Sequence, residues 1–476
     1  MSSLSKKLPI LRIAAFVAIG YSLILFLTAS LQHFLLGTNA FDIGLFVQFS
    51  WLIGQGKVSA IGSLLNVSPL QDHFSLLLLP LGLVYRIFPS PLTLISLQSV
   101  ALGSLPFIAA WIAWRRQIRP TLIWTLLIAI TLSPYPFLAN RGDFHPDVLT
   151  APLMLIAIVE VTKARRGWYY ISLLLTLFAK NAQALFGFGL GAYACIKGSY
   201  RRGFTTIAIS LGWWFLASAL SSEGQDHVTN RLGYLGDTKF QIVGTLISKP
   251  WVIFEVASIE QIFLYTLGLC LPFLFLLRKK AGPALLACLP VYVTNLISSR
   301  GIHRELDGHY SIAIFVFLIV GCLDSMPALS EFSGKIIHRI SWLTLVFAMA
   351  AFLGYARIGY FQTRYWPRLA EAQEFHKASQ EIGEKESVLT STNYAVHLAG
   401  RDKIEQIERN EFGEYSEFDV IILPGMNAKT NYASGKLQFV SDSKLGPIVS
   451  DVLKGAESEG FECINYHKYI TTCRQK

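Results

Sequence analysis

The sequence predicts an all-α polytopic membrane bundle followed by a small α/β domain. Three observations predict it. Apolar runs of roughly 20 residues, the length that crosses a bilayer core, recur through the first 360 positions; they bring the mean hydropathy of the 476-residue chain to +0.45 and its apolar share to 53%. From Phe361 onward charged residues are dense and short alternating runs replace the long ones. Charge divides at the same point: residues 361–476 hold 14 Lys+Arg against 17 Asp+Glu, and residues 1–360 hold 27 against 14. The basic excess therefore belongs to membrane loops, where it reports topology and not nucleic-acid binding. The domains are read as 1–360 and 361–476.

The elements follow in order. The start, MSSLSKKLPILRIAAF, looks like a signal peptide, but the apolar segment from Ile10 to Leu31 is too long for one and reads as an uncleaved anchor. Six basic clusters then set the orientation: Lys6/Lys7/Arg12, Arg115/Arg116/Arg119, Lys163/Arg165/Arg166, Lys197/Arg201/Arg202, Arg278/Lys279/Lys280 and Lys335/Arg339, together 17 of the 27. With all six on the cytoplasmic side of the plasma membrane, eleven spans result: 10–32, 91–114, 121–139, 148–162, 168–179, 183–196, 204–222, 260–277, 282–298, 310–330 and 341–360. The N-terminus is then cytoplasmic and residues 361–476 are extracytoplasmic. The apolar run His73–Phe88 must stay out of the count, since a crossing there would flip every later cluster; it reads as a helix in the outer interface. The short spans 168–179 and 183–196 require a tight outward turn between Ala179 and Gln183.

In the tail, residues 367–383 read as a helix, SVLTS, KIEQI and DVIILPG as strands, SKLGPIVSDVLKGAE as a helix and FECINYHKYITTC as a closing hairpin. Such a domain is expected to sit over the outer cavity. Cys463 and Cys473 flank the hairpin and are expected to form a disulfide on this oxidising side. Cys195, Cys270, Cys288 and Cys322 lie in apolar runs as packing residues, and no spacing suggests zinc.

The outer face collects the ionisable residues. Asp42 lies in NAFDIGLFVQF, Asp72 and His73 in QDHFS, Asp143, His145 and Asp147 in NRGDFHPD, Lys180 in FAKNAQ, Arg231 in RLGYLGD, and Arg300, His303, Arg304, His309 and Tyr310 in SRGIHRELDGHY. Ionisable groups near membrane depth are costly and tend to be paired or functional. Carboxylates suit a general base or a hard divalent cation such as Mg or Mn, with Asp42, Asp143 and Asp147 as its candidate ligands. Lys180, Arg231, Arg300 and Arg304 suit a phosphate. Simpler roles stand beside these. Asp42 could cap an interfacial helix, Lys180 could snorkel, Arg300 and Arg304 could pair at the rim, and Tyr310 could belong to an aromatic belt. Asp324 on the inner side reads as solvated.

FDIGLFVQFSW, DHFSLLLLP, FHPDVLTAPL, a Lys-bearing turn, RLGYLG and GHYSIAIFVFL, in this order across residues 15–330, resemble a prokaryotic multi-pass family of unknown function placed near the GT-C glycosyltransferases. VHLAGRDKIEQI resembles the small extracytoplasmic domain that follows. The resemblance implies a GT-C-like fold and a polyprenyl-phosphate-linked sugar donor. Asp42 would be the catalytic base or metal-linked carboxylate, with Asp143, His145 and Asp147 assisting. Asp72, His73, Lys180, Arg231, Arg300, Arg304, His309 and Tyr310 would bind substrate. The acceptor would be an extracytoplasmic glycan, lipid or protein. Asn181 departs from the pattern, since the family's turn carries an acid after the lysine. The alternatives are a lipid or polysaccharide transporter or flippase, disfavoured by the absence of repeat symmetry, and a non-catalytic membrane protein of envelope assembly.

Overall fold

A computed structural model describes residues 8–161, 167–221, 231–409, 412–425, 442–466 and 469–475. The clusters at Lys6/Lys7 and at Lys163/Arg165/Arg166 lie outside the described residues. Among the described residues up to Tyr355, the named elements are all helices. The helix Ile312–Ser330 runs through the middle of the bundle, with a continuous buried stretch from Ile312 to Leu323. A segment apolar on every face has nowhere to go but the centre of a bundle. The first helix, Leu8–Phe34, takes the opposite position: it packs against Pro91–Arg115 on one side and exposes Phe16, Ile19, Leu23 and Leu27 on the other. Such a face suits lipid.

Among the described residues six helices are long and apolar enough to cross a membrane, and eight if two sharply bent pairs each count once. Three of the eleven expected spans do not meet that length. The shortfall lies at 148–162, 168–179 and 183–196, where the helices Ala151–Glu160, Gly167–Leu177 and Ala184–Ile196 have 10, 11 and 13 residues. At ~1.5 Å per residue they rise about 15–20 Å, well under a ~30 Å hydrocarbon core. Apolar composition marks a buried helix and a spanning helix alike; only length separates them. The run His73–Phe88 forms a 10-residue helix, Leu78–Ile87, packed on Leu45–Gly54. Gly82 makes that packing possible, because a Cβ there would lie 2.4 Å from the Ile53 side chain.

One end of the bundle gathers two of the basic clusters around one acid. Asp324 meets Arg116 at 3.2 Å and Lys197 at 2.8 Å, and accepts from Tyr193 Oη at 2.7 Å. Its side chain is only 7% exposed, so it is a buried counter-ion and not a solvated charge. The other end holds the loops that follow Phe34, Arg141, Leu177 and Ile297.

The last long helical run, Gly334–Ser379, carries the chain into the C-terminal domain. There a five-stranded sheet forms from β1 (Val388–Thr390), β2 (Ile404–Gln406), β3 (Val420–Pro424), β4 (Phe461–Tyr466) and β5 (Ile470–Gln475), in the order β2-β1-β3-β5-β4. β1 pairs with β2 and β3 in parallel, and β5 pairs antiparallel with β3 and β4. The helix Asp442–Ser458 covers one face, where Val449, Val452 and Ala456 meet Ile421, Leu423 and Phe461. Cys463 and Cys473 stand opposite each other in the hairpin and form the expected disulfide. The second sheet face joins the bundle: Val388, Ile404, Val420 and Ile470 share a core with Leu35, Ile43, Phe46 and Leu64. Ser63 Oγ accepts from Ile404 N and donates to Ile404 O, so an outer loop closes the β2 edge.

Candidate active site

The site is built on the turn after the first helix. Asn39 caps a π-helical turn, Ala40–Gly44, its side chain accepting from Phe41 N at 2.9 Å. Asn39 thus takes the capping role considered for Asp42, whose carboxylate is left to face the next loop. Asp42 Oδ1 lies 3.3 Å from His145 Nε2. The His145 ring stacks on His309 with centroids 3.7 Å apart. His309 Nε2 in turn lies 3.8 Å from Asp147 Oδ2. Two imidazoles sandwiched between two carboxylates form one array. Its members come from three loops far apart in sequence, and Asp42, with its side chain 25% exposed against 6% for Asp147, is the accessible end.

The loop that bears Asp143, His145 and Asp147 is held by Gln98. Its Nε2 donates to Asp143 O and its Oε1 accepts from His145 N, both at 2.9 Å. Asp143 adopts φ +70°, a left-handed conformation that Asp tolerates better than most residues. The preceding Gly142 packs so tightly on the 300–311 loop that a Cβ would lie 1.8 Å from Asp307 O. Gln98 was not singled out from the sequence, although a lone amide in an apolar helix is a signal that could have found it.

Asp143 itself turns inward. Its Oδ2 accepts from Asn39 N at 2.8 Å, tying the FHPD loop to the Asp42 turn. Burial, and then the charge of Asp42, hold its carboxyl well above the usual carboxylate range. Burial also raises Asp147, against the pull of Lys180 and His145. Among the described residues no group of three His, Cys, Asp or Glu side chains converges to hold a metal ion. Of the expected ligands Asp42, Asp143 and Asp147, Asp143 turns its Oδ2 to Asn39 N and Asp147 its Oδ2 toward His309, while the Oδ1 of each is buried without a hydrogen-bond partner.

The basic side of the site lies next to this array. Lys180 is buried in the turn between Leu177 and the short 3-10 segment Asn181–Gln183. Asn181 N donates to His73 O, and His73 Nδ1 lies 3.5 Å from Asp72, which brings QDHFS to the same turn. The His303 ring lies tilted against Tyr310, with centroids 4.1 Å apart. Its imidazole is driven down to about 3 by burial and by the charges of Arg231, Lys180, Arg300 and Arg304, so it stays neutral. Lys180 therefore acts on both Asp147 and His303 and joins the acidic part to the cationic part. Arg300 is exposed. Arg304 is not free for a phosphate. Its Nη1 donates to the carbonyls of Asn295, Leu296 and Ser298 and its Nη2 to Val256 O, which caps the C-terminus of the helix Leu289–Ile297. A guanidinium at a helix end complements the dipole there, and this is a structural use.

The fold has solved counterparts. The crystal structure of ArnT from Cupriavidus metallidurans bound to undecaprenyl phosphate matches with a TM-score of 0.53 at 10% identity, covering 96% of this chain and 97% of that one. The apo structure of ArnT from the same organism gives a TM-score of 0.49 at 10% identity over 95% and 97%. The fold is thereby the ArnT-like architecture of a multi-pass membrane protein. Within it, the chain belongs to the family described as "Predicted membrane protein (DUF2079)", whose model matches residues 32–442. No curated protein matches the chain.

Proposed function

We propose that the protein is a glycosyltransferase of the plasma membrane that moves a sugar from a polyprenyl-phosphate donor to an extracytoplasmic hydroxyl acceptor. The observation that carries this reading is the array Asp42–His145–His309–Asp147 with Lys180 beside it. The ArnT-like fold, solved in that relative with undecaprenyl phosphate bound, supports it. Asp42 accepts the acceptor's proton as the acceptor oxygen attacks the anomeric carbon. The bond from that carbon to the phosphate oxygen breaks, and its electron pair leaves with the polyprenyl phosphate. Lys180, Arg231 and Arg300 offset the charge of the departing phosphate. His145 orients Asp42 through its Nε2, and Asp147 holds His309 against it. His303 and Tyr310 offer uncharged hydrogen bonds to the sugar, and Asp72 and His73 border the donor. Asp143 keeps the loop in place. The basic end of the bundle lies in the cytoplasm by charge, and the site and the C-terminal domain lie outside. The crossings number eleven if the three short helices also traverse.

Native mass spectrometry of the purified protein with added undecaprenyl phosphate tests the donor. A retained adduct is expected for the wild type, lost in Lys180→Ala and Arg300→Ala; a folded wild type that takes up no lipid overturns the reading. Asp42→Asn should keep the adduct and lower sugar transfer to membrane acceptors by roughly 10²–10⁴-fold. Transfer at the wild-type rate removes Asp42 from the chemistry.

A further inference from the structure

The segment that leads from the first helix to Asp42 is held from two sides, by Gln32 and Asp143 of the bundle at Gly37 and Asn39 and by side chains of the C-terminal domain at Phe34, Leu36 and Thr38. Residues Leu35 to Asn39 form no regular element, and Leu36 takes φ +58°. For a bulky residue that conformation is strained and persists only where the surroundings impose it. The surroundings are tail side chains. Asn393 Nδ2 donates to Leu36 O at 2.8 Å and to Thr38 O at 3.2 Å. Arg368 Nη1 donates to Leu36 O at 2.8 Å. His376 Nε2 lies 3.0 Å from Phe34 O. One turn beyond Asn393, the His397 ring stacks on His33 at 4.0 Å, and His33 Nδ1 lies 2.9 Å from Thr38 Oγ1. The same helix, Thr392–Leu398, packs on the π-helical turn itself, where Gly44 sits against Val396. Asn393 is buried, so both of its bonds form away from water, where an unmade bond is expensive.

We infer that the C-terminal domain is a clamp on the Asp42 turn, with Asn393 as its principal positioning residue. This rests on the proposed role of Asp42. It replaces the picture of a lid over the cavity with a fixed support: the domain sets where Asp42 stands relative to His145 without touching substrate. Two facts favour a fixed support over a mobile cover. The domain and the outer loops share one hydrophobic core, and Ser63 closes the β2 edge from the bundle side.

Native-state hydrogen exchange on the wild-type protein in detergent, with increasing denaturant, tests the clamp without any substrate. Amides of Phe41–Leu45 and of Thr392–Leu398 are expected to lose protection in one transition, ahead of the bundle core. A turn that stays protected after Thr392–Leu398 has opened overturns the inference, whether or not the protein transfers sugar. The isosteric Asn393→Asp, which replaces the donor with an acceptor facing two carbonyls, should speed exchange at Phe41–Leu45 and leave Ile312–Ser330 unchanged. It should also lower kcat for transfer by about 10-fold or more with the donor KM unchanged. Unchanged exchange in the turn, or a rise in KM alone, likewise overturns it. A wild type with clamped exchange behaviour and no transfer would leave the clamp standing and remove the transferase reading instead.

Discussion

At the scale of the residue, burial decides which acid reacts. Asp42 and Asp143 lie within electrostatic reach of each other, but Asp143 is enclosed and Asp42 is not. Burial and the nearby Asp42 favour the protonated form of Asp143, and Asp42 is left as the accessible carboxylate of the two. Asn resembles a protonated Asp, so Asp143→Asn should retain transfer within a few-fold, unlike Asp42→Asn. The stability effect has a definite sign. A carboxyl raised in the folded state stabilises below its ordinary range and loses that contribution as pH rises toward its folded value. Asp143→Asn removes that loss, and its thermal midpoint should therefore gain on the wild type as pH is raised from the ordinary carboxylate range toward neutrality. Parallel wild-type and variant curves over that range would show that Asp143 is ionised. Arg304 teaches the same lesson from the other sign. Its charge suggests a phosphate, and its four carbonyl partners show a cap.

At the scale of the element, the basic clusters act through their shared acid. Asp324 stands on the central helix Ile312–Ser330 and draws Arg116 and Lys197, from the ends of two other helices, onto it. Removing a buried partner leaves its cations uncompensated, at a cost of about 3–5 kcal/mol for a fully buried pair and less here, because Arg116 and Lys197 are about 30% exposed. Asp324→Asn should lower the thermal midpoint in detergent by several degrees with lipid uptake unchanged; an unaltered midpoint would mean that the two cations find water as readily as Asp324. The clusters were legible in the sequence as topology signals. Their meeting at Asp324 was not, since nothing in local spacing links residues 116, 197 and 324. Hydropathy scores composition over a window, so it marks Ala151–Glu160 and Gly167–Leu177, which have the composition of a span without its length.

At the scale of the whole molecule, the bundle has two chemically distinct ends. Leu8–Phe34 and Gly334–Ser379 lead to the end that holds the Asp42 turn and the C-terminal domain, and Pro91–Arg115 and Ile312–Ser330 lead from it to the Asp324 end. A cysteine at Ser299 should react with an impermeant maleimide in intact cells, and one at Lys280 only after permeabilisation. The reverse pattern would put the site in the cytoplasm and exclude an extracytoplasmic acceptor. The sequence by itself determined the multi-pass membrane class and the strands and hairpin of the tail with its disulfide. These are properties of periodicity, length and charge, which are written locally along the chain. Only the tertiary structure decided that Asp42 meets His145, that His145 stacks on His309, that Asp143 turns inward, that Arg304 caps a helix, and that Asn393 reaches Leu36 and Thr38. Each of these joins residues a hundred or more positions apart or depends on burial. Both follow from how helices and sheet pack, and packing leaves no local mark in the sequence.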